Sequence, residues 1–210
     1  MRWLPPASSH ADIGIVKGFD SAYLGVPPWD IGKPQSEIVR LEQDGRLRGS
    51  VLDCGCGTGE NALYLASRGH EVWGIDASPN AIRKAEAKAK ERGIAVKFLT
   101  TDALDLGRLG RTFDAVIDCG LFHVFSDLDR DRYVASLAAV TAPGAKLFVL
   151  CFSDLQPGDQ GPRRVSKAEI RQAFEKGWRV QNIRAAGLET NMGKKPVKAW
   201  LSEIIRDKLA

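Results

Sequence analysis

Long apolar segments are absent from this chain of 210 residues. No run approaches the roughly 18 to 20 residues that a helix needs to cross a bilayer. Residues 1–6 also lack the hydrophobic region of a secretory signal. We therefore expect a cytoplasmic protein that does not associate with membranes.

Blocks of a single charge are missing as well. The 30 lysines and arginines and the 26 acidic residues give a formal net charge of +4, but the two signs are interspersed. A nucleic-acid groove is typically marked by clusters of lysine and arginine. The sequence therefore predicts no nucleic-acid partner, and the small basic excess is interpreted as solvated surface.

Cysteine is scarce and shows no paired spacing. The four cysteines fall at the predicted ends of strands without a C-x-x-C pair, so neither a zinc site nor a disulfide framework is indicated. We expect reduced thiols that line a pocket, and no metal. The alternative is a metal site. It would form if the first, fourth and fifth strands are neighbours and bring Cys54, Cys119 and Cys151 together at one rim. The fourth cysteine is Cys56.

Short apolar runs alternate with helical stretches from Ser50 onward, a pattern typical of parallel βαβ units with helices on both faces. The length and the 44% apolar content suit one three-layer domain. Ser78 followed by Pro79 predicts the start of a helix that ends at Gly93. A capping box at residues 166–169 predicts another helix start.

Seven strands are predicted for this α/β, Rossmann-like sheet, which we expect to be mostly parallel. The most convincing buried strands are residues 113–118 and 146–152, with a helix over 128–140 and a turn at 142–144 between them. The other predicted elements are a helix from residue 60 to Gly69, a strand at 95–100, and a terminal strand pair at 178–184 and 197–205.

The loop after the first strand has glycine at every second position. Gly55, Gly57 and Gly59 allow positive φ angles and let a ligand lie against bare backbone amides. About 17 residues further on, a second apolar run ends at Asp76, where nucleotide-binding βαβ units place the acid that holds a ribose. Together these features predict a nucleotide-like ligand. A tight strand-to-helix turn without a ligand is the alternative.

The glycine spacing narrows the choice of nucleotide. A dinucleotide site reads G-x-G-x-x-G and a P-loop needs Lys-Ser or Lys-Thr after its last glycine, whereas this loop reads G-x-G-x-G and continues with Glu60. With Asp53 in front, the loop resembles the first motif of the class I S-adenosylmethionine-dependent methyltransferases. Seven strands are also the number in that family's sheet.

This resemblance implies S-adenosyl-L-methionine as the cofactor and assigns its contacts. Asp102 follows the third strand like the family's adenine-binding acid, although it could merely cap the short turn that follows it. The implied cofactor contacts are Asp53, Gly55, Gly57 and Cys119 around the methionine end, Asp76 and Ala77 at the ribose, and Asp102 and Ala103 at the adenine.

Residues 1–40 differ from the rest in being rich in proline, glycine and aromatics, and we expect them to lie outside the core. Trp29 and Gln35 form a Trp-x-x-Gly-x-Pro-Gln pattern. It resembles the N-terminal region of small-molecule methyltransferases of the thiopurine, tellurite-resistance and mycobacterial heterocyclic-toxin groups. This resemblance implies that residues 1–40 form a lid, with both residues near the cofactor, over a cofactor-binding domain of residues 41–210.

The fourth motif reads Asp118-Cys119-Gly120-Leu121-Phe122-His123. It lacks the Asn- or Asp-Pro-Pro-Tyr/Phe of methyltransferases that act on adenine or glutamine, so those acceptors are disfavoured. His123 stands where the acceptor should enter, and a histidine with a pKa near neutrality can take a proton from it. The alternative is a packed histidine at the end of a strand.

The loop at residues 151–164 is too long and polar for a simple connector and lies on the predicted ligand side. We expect an aromatic slot for a planar ring, whose polar edge is oriented by Asp154 or Arg163. The slot would contain Phe19, Tyr23, Trp29, Phe122 and Phe152.

The predicted activity is methyl transfer to nitrogen or oxygen of a small aromatic heterocycle or phenol, for example in detoxification. The alternatives are a methyltransferase acting on RNA or protein and a non-catalytic cofactor-binding protein of the same fold. The protein is expected to be a monomer or a homodimer.

Overall fold

The computed structural model describes residues 13–208, in which a seven-stranded sheet has the order β3-β2-β1-β4-β5-β7-β6. The strands from β3 to β5 in this order are parallel, and β7 is antiparallel to both of its neighbours. The strands are β1 Ser50–Cys54, β2 Glu71–Asp76, β3 Lys97–Thr100, β4 Phe113–Cys119, β5 Thr141–Phe152, β6 Trp178–Leu188 and β7 Val197–Arg206.

Helices connect the strands and cover the sheet. They are α1 Ile13–Ala22, α2 Ser36–Gln43, α3 Glu60–Ser67, α4 Pro79–Arg92, α5 Asp127–Val140 and α6 Lys167–Ala173, with 3₁₀ helices at Ala103–Leu109 and Phe122–Val124. Within the described range, none of these helices is long and apolar enough to span a membrane.

Local signals in the sequence place several helix ends correctly. The Ser78 hydroxyl accepts the amide hydrogen of Ala81 at 3.0 Å, and α4 stops at Gly93, which has a φ of 64°. The capping box predicted at the start of α6 is also present between Ser166 and Glu169. The predicted helix ends at Ser78, Gly93 and Ser166 are therefore confirmed. They could be predicted because each depends on hydrogen bonds between residues that are close in sequence.

Two strands are longer than predicted. The expected turn at residues 142–144 lies inside β5, which begins at Thr141, so this prediction is wrong. Pairing with β4 shifts register between Phe113 and Ala115, and this irregularity accommodates the turn-forming residues. β6 continues to Leu188 because β7 pairs with it along its length.

The N-terminal segment contributes to the core, contrary to the expectation for residues 1–40. Ile38 is completely buried in the layer that also contains Val51 and Leu63. Tyr23 is 5% exposed. The apolar positions of α2 recur three residues apart on one face, so a short polar helix still presents a buried stripe.

An ion-pair cluster fixes the loop that precedes α3 against α4. Glu60, at the first position of α3, contacts Lys88 and Arg92 at 2.8 Å each. Lys88 also donates to the hydroxyl of Thr58 at 2.7 Å. The glycine-rich loop is therefore held between β1 and two helices.

Truncating Ile38 should measure how far the N-terminal segment is part of the folding unit. Ile38→Ala is expected to lower the free energy of unfolding by about 2 to 5 kcal/mol, because it leaves a cavity in a fully buried layer. Urea denaturation measures the change. Leu128→Ala is the matched control, since that leucine is 64% exposed. Equal stability of the two variants would show that α2 packs only loosely.

Candidate functional site

The glycine-rich loop is tied to the end of β2. The amides of Gly55 and Cys56 both donate to the carbonyl of Ile75 at 2.9 Å. The amide of Gly57 donates to a carboxylate oxygen of Asp76, also at 2.9 Å. The two halves of the predicted nucleotide site are therefore in direct contact.

Two of the glycines are required by close neighbours as well as by their positive φ angles. At Gly57, with φ +54°, a Cβ would lie 2.8 Å from the hydroxyl oxygen of Tyr23. At Gly59, with φ +83°, it would lie 2.7 Å from the ring of Phe98. Any larger residue would displace the N-terminal segment or the packing of β3 against α4.

Asp76 organises the loop with backbone bonds. One carboxylate oxygen accepts from Gly57, and the other accepts from the amide of Ser78 at 2.8 Å. Burial raises the pKa of Asp76, and these two amides partly oppose that rise. Each oxygen keeps a second lone pair, so the carboxylate can also accept from ribose hydroxyls. The ribose contacts of Asp76 and of neighbouring Ala77 remain predictions.

Asp53 is a buried acid whose oxygens lack partners. It is 1% exposed, and neither carboxylate oxygen forms a hydrogen bond with the described residues. Burial raises its pKa to about 8, with further increases from Asp118 and Asp76, while the Ala62 amide offsets only part of the effect. A buried carboxylate with unsatisfied oxygens, beside two other acids, is suited to a cationic ligand.

Asp118, at the end of β4, holds the turn that follows it. One oxygen accepts from the amides of Leu121 and Phe122, and the other accepts from the Tyr133 hydroxyl at 2.8 Å. Burial raises the pKa of Asp118 to about 6. The sequence analysis identified the motif at residues 118–123, but it did not predict that Asp118 holds the turn after β4. An acid at the end of a buried strand, just before a turn, was the available signal.

Cys119 lies half-buried after Asp118, and burial raises the pKa of its thiol. Its predicted place beside the methionine end is untested. All four cysteines are free. Across residues 13–208, the structure contains no group of three or more histidine, cysteine or acidic side chains that could hold a metal ion.

His123 is buried and oriented by the backbone. Its Nδ1 accepts from the Phe152 amide at 3.0 Å, which places the proton of the neutral ring on Nε2. Burial, followed by the charge of Arg164, lowers its pKa to about 3. The pKa is therefore shifted away from neutrality, and the proton-accepting role predicted for His123 stays a prediction. His123 can donate a hydrogen bond but is a poor base.

Gly120 lies against the Nε2 edge of His123. A Cβ at Gly120 would lie 3.7 Å from Nε2, and the φ of +91° at this position also favours glycine. The donor edge of the imidazole therefore lies next to the motif that is expected to face the cofactor's methionine end.

The N-terminal segment covers the glycine-rich loop with aromatic side chains. The Trp29 indole donates to the Tyr23 hydroxyl at 2.8 Å, and the Phe19 ring packs edge-on against Trp29 at 5.4 Å. Asp30 accepts from the Thr58 hydroxyl at 2.9 Å. The segment is closed over the loop, as a lid would be.

Gln35 joins this segment to the loop between β6 and β7. Its side-chain amide donates to the Glu189 carbonyl at 3.0 Å and accepts from the Glu189 amide at 2.8 Å. The Glu189 carboxylate in turn accepts from Ser36 and Lys33. Both polar atoms of Gln35 are thus engaged within the protein, and its predicted contact with the cofactor is untested.

The predicted aromatic slot is not assembled as one group. Phe19, Tyr23 and Trp29 cluster over the glycine-rich loop, whereas Phe122 is fully buried and stacks on Phe174 at 5.7 Å. Phe122 therefore packs in the core, apart from the other aromatics of the predicted slot, and its contact with the acceptor stays a prediction. Phe152 is 5% exposed and packs edge-on against His123.

The two polar residues predicted to orient the acceptor are engaged elsewhere. Asp154 accepts from the Trp200 indole at 3.0 Å, and Arg163 forms ion pairs with Asp127 and Glu169. Arg164, the next residue along, is the one that lies over Phe152, at 5.3 Å from the ring centroid. Adjacent arginines give no sequence signal for which one turns inward.

Asp102 is exposed and accepts from the Leu104 amide at 2.9 Å, so it does cap the 3₁₀ helix that follows it. Ala103 is buried beneath it. This cap uses one carboxylate oxygen. Adenine contacts for the two residues remain predictions.

Comparisons with known proteins agree with this geometry. Residues 51–144 match the family model described as a methyltransferase domain. A 2-heptyl-1-hydroxyquinolin-4(1H)-one methyltransferase from Mycobacteroides abscessus is 40% identical over 184 residues, which are 82% of this chain and 81% of that protein. The chain belongs to the S-adenosylmethionine-dependent methyltransferases. The predicted family, fold class and cofactor are confirmed.

Two further similarities extend over most of the methyltransferase. A structure solved for the conversion of a disulfide bond into a thioacetal group during echinomycin biosynthesis superposes with a TM-score of 0.85 at 36% identity, covering 91% of this chain and 93% of that one. A probable thiol methyltransferase from Arabidopsis thaliana is 30% identical over 178 residues, 81% of this chain and 78% of that protein.

The site fits the confirmed cofactor. S-adenosyl-L-methionine, when bound, supplies a methyl group made electrophilic by a positively charged sulfur. The unpartnered oxygens of Asp53 can carry a negative charge in a dry site, and the loop that follows has no side chain at Gly55 or Gly57. Asp53, Gly55, Gly57 and Asp76 are the residues that would hold the cofactor.

Binding of S-adenosyl-L-methionine is expected to release a proton from Asp53. The raised pKa of about 8 means that the free enzyme carries Asp53 protonated at neutral pH, and a nearby cation stabilises the ionised form. Affinity should therefore rise by up to about tenfold per unit between about pH 6 and pH 8. Calorimetry in buffers with different ionisation enthalpies counts the protons released.

Asp53→Asn should abolish this proton release and weaken binding. Asp131→Asn, at an exposed acid on α5 that is not among the predicted cofactor contacts, is the control that should keep both proton release and affinity. A wild-type enzyme that binds the cofactor without releasing protons would contradict the assignment of Asp53 to the cationic end.

Proposed function

We propose that this methyltransferase transfers the methyl group to nitrogen or oxygen of a small aromatic heterocycle or phenol. The observation that carries the proposal is the 40% identity, over about four-fifths of both chains, with a protein named for methylating a hydroxyquinolone. Such a reaction would mask the acidic group of the acceptor, which is consistent with a role in detoxification.

The state of His123 supports an acidic acceptor. A neutral imidazole with its proton on Nε2 can donate to an anionic oxygen but cannot readily take a proton. The proton of a weakly acidic N-hydroxy or phenolic group would be lost to water beforehand, so the reactive fraction of the acceptor is set by the acceptor's own pKa. We therefore propose that His123 holds and orients the ionised acceptor, in place of the general base expected from the sequence.

The rest of the site aligns the reactants and excludes water. Closure of residues 13–36 over the glycine-rich loop, through Tyr23 and Trp29, supports a lid that shields the reacting groups. In-line displacement at an activated methyl carbon mainly requires correct positioning of the attacking atom. We propose that the lid must open for cofactor exchange, because Asp30 and Gln35 fasten it on both sides.

A sulfur acceptor is the second candidate. It is favoured by the similarity to a probable thiol methyltransferase and to a structure solved for thioacetal formation, both over most of this chain. An ionised thiol would have the same requirement for alignment without a base.

A panel of acceptors tests the proposal directly. The purified enzyme is incubated with methyl-labelled cofactor and a 1-hydroxyquinolone, a simple phenol, a ring-nitrogen heterocycle or an aryl thiol, and labelled products are identified by mass spectrometry. We expect the highest kcat/KM for the hydroxyquinolone or phenol. Preference for the thiol would select the second candidate. Labelling of RNA or protein only, or no turnover, would contradict the proposal.

Loss of His123 should affect the acceptor and not the cofactor. His123→Ala is expected to lower kcat/KM for an ionisable acceptor by about 10- to 100-fold, because losing a hydrogen bond to a charged group costs about 1.5 to 3 kcal/mol. In the wild type, kcat/KM should rise with pH up to the acceptor's own pKa, with no inflection from a histidine near neutrality.

His70→Ala is the control, since the His70 ring contacts the Gly49 carbonyl at 3.4 Å, just before β1 and away from the glycine-rich loop. An inflection near neutrality that disappears in His123→Ala would restore the general-base interpretation. Unchanged kcat/KM in that variant would leave His123 with a packing role alone.

A further inference from the structure

The loop between β5 and α6 is built around one arginine. Among the residues that the structure describes, the guanidinium of Arg164 donates to five backbone carbonyls, at 2.5 to 3.5 Å, and to no side chain. A guanidinium has five N–H donors in a rigid fork, so it can gather several carbonyls that a lysine could not. The carbonyls belong to Gln156, Pro157, Gly158, Gln160 and Pro162.

The two ends of this loop are also joined. The Val165 amide donates to the Phe152 carbonyl, and the Asp154 amide donates to the Val165 carbonyl, both at 3.0 Å. Arg164 therefore sits at the centre of a closed ring of backbone. Bonds from β7 hold the first residues of the loop at Asp154 and Gln156, whereas the stretch that follows contains Gly158 and Gly161, both with positive φ, and is gathered by Arg164.

Arg164 is connected to His123 through a single residue. Its guanidinium lies 5.3 Å from the ring centroid of Phe152, a cation–π contact. The same Phe152 ring meets the imidazole edge-on at 5.0 Å, and the Phe152 amide binds Nδ1. The residue that orients His123 is thus itself held by Arg164.

The charge of Arg164 is not neutralised by a neighbouring acid. Among the described residues, no carboxylate lies within ion-pair distance of Arg164, whereas Arg163 is paired with Asp127 and Glu169. The unpaired charge acts on His123 in the same direction as burial and favours the neutral ring.

We propose that Arg164 is a positioning residue for the acceptor: it holds residues 153–165 as a fixed wall and, through Phe152, fixes the donor edge of His123. This positioning role rests on the proposed function only in one respect, namely that His123 contacts the acceptor. The structural part concerns the free enzyme and is tested without turnover.

Three variants separate the effect of the guanidinium geometry of Arg164 from the effect of its positive charge and from the effect of its position in the loop. Arg164→Gln removes both the fork and the charge, and Arg164→Lys keeps the charge alone. Arg163→Gln is the matched control, because it removes an adjacent arginine whose contacts are ion pairs outside the loop. Thermal unfolding of all three shows whether each variant is folded.

Hydrogen exchange in the cofactor-free enzyme measures how well residues 153–165 are ordered. The amides of Asp154, Gln156 and Val165 should exchange at least about tenfold faster in both Arg164 variants than in the wild type or in Arg163→Gln. Equal exchange in all four proteins would overturn the positioning role.

Proton NMR titration reports on the charge at His123. The chain has three histidines, so the imidazole signal of His123 can be assigned by its absence from His123→Gln. The wild-type signal should not titrate near neutral pH, because its pKa is about 3. Arg164→Gln should raise this pKa more than Arg164→Lys does. An unchanged titration in Arg164→Gln would contradict the link between the two residues.

Kinetics then connect the loop to the acceptor. Arg164→Gln should raise the acceptor KM by about tenfold while the cofactor Kd stays within about twofold of wild type. A fall in thermal stability alone, with KM, hydrogen exchange and titration unchanged, would identify a merely structural arginine. If no acceptor in the panel is methylated, the proposed function fails, and exchange and titration still decide the role of Arg164.

Discussion

A carboxylate buried without a partner, Asp53, is the constraint on which the rest of the site depends. Its position at the centre of the sheet, near Asp76 and Asp118, makes the ionised form unfavourable in the free protein. A cation in the same place removes that penalty. The glycine-rich loop after Asp53 has no side chain at Gly55 or Gly57, and the carboxylate of Asp76 keeps free lone pairs, so one site can accept both the charged sulfur end and the polar sugar of the cofactor.

The N-terminal segment closes this site from two directions. Tyr23 and Trp29 lie over Gly57, where only a glycine leaves room for the hydroxyl. On the opposite side, Gln35 pairs with the backbone of Glu189 in the way that a neighbouring strand would. The segment is therefore hydrogen-bonded both to the β6–β7 loop and to the glycine-rich loop.

On the acceptor side, the structure favours alignment over proton transfer. His123 is kept neutral by burial and oriented by the Phe152 amide, so it is preorganised to donate a hydrogen bond. Arg164 orders the adjoining loop through carbonyl groups and adds a positive charge nearby. An acceptor that arrives ionised would meet a fixed donor and a favourable potential, with little reorganisation required during methyl transfer.

The features that depend on local chemistry could be predicted from the amino-acid sequence alone. Gly55, Gly57 and Asp76 identified the cofactor loop, Ser78 and Gly93 marked the ends of α4, and the alternation of apolar runs predicted seven strands. Which side chains face the site depends on the tertiary structure and could not be predicted from local sequence. Phe122 turned into the core, Arg163 turned to the surface and Arg164 turned inward, and α2 buried Ile38. Neighbouring residues of the same type carry identical local signals, whereas their direction depends on packing partners distant in sequence. The neutral state of His123 depends on such packing too, because it follows from burial against β5.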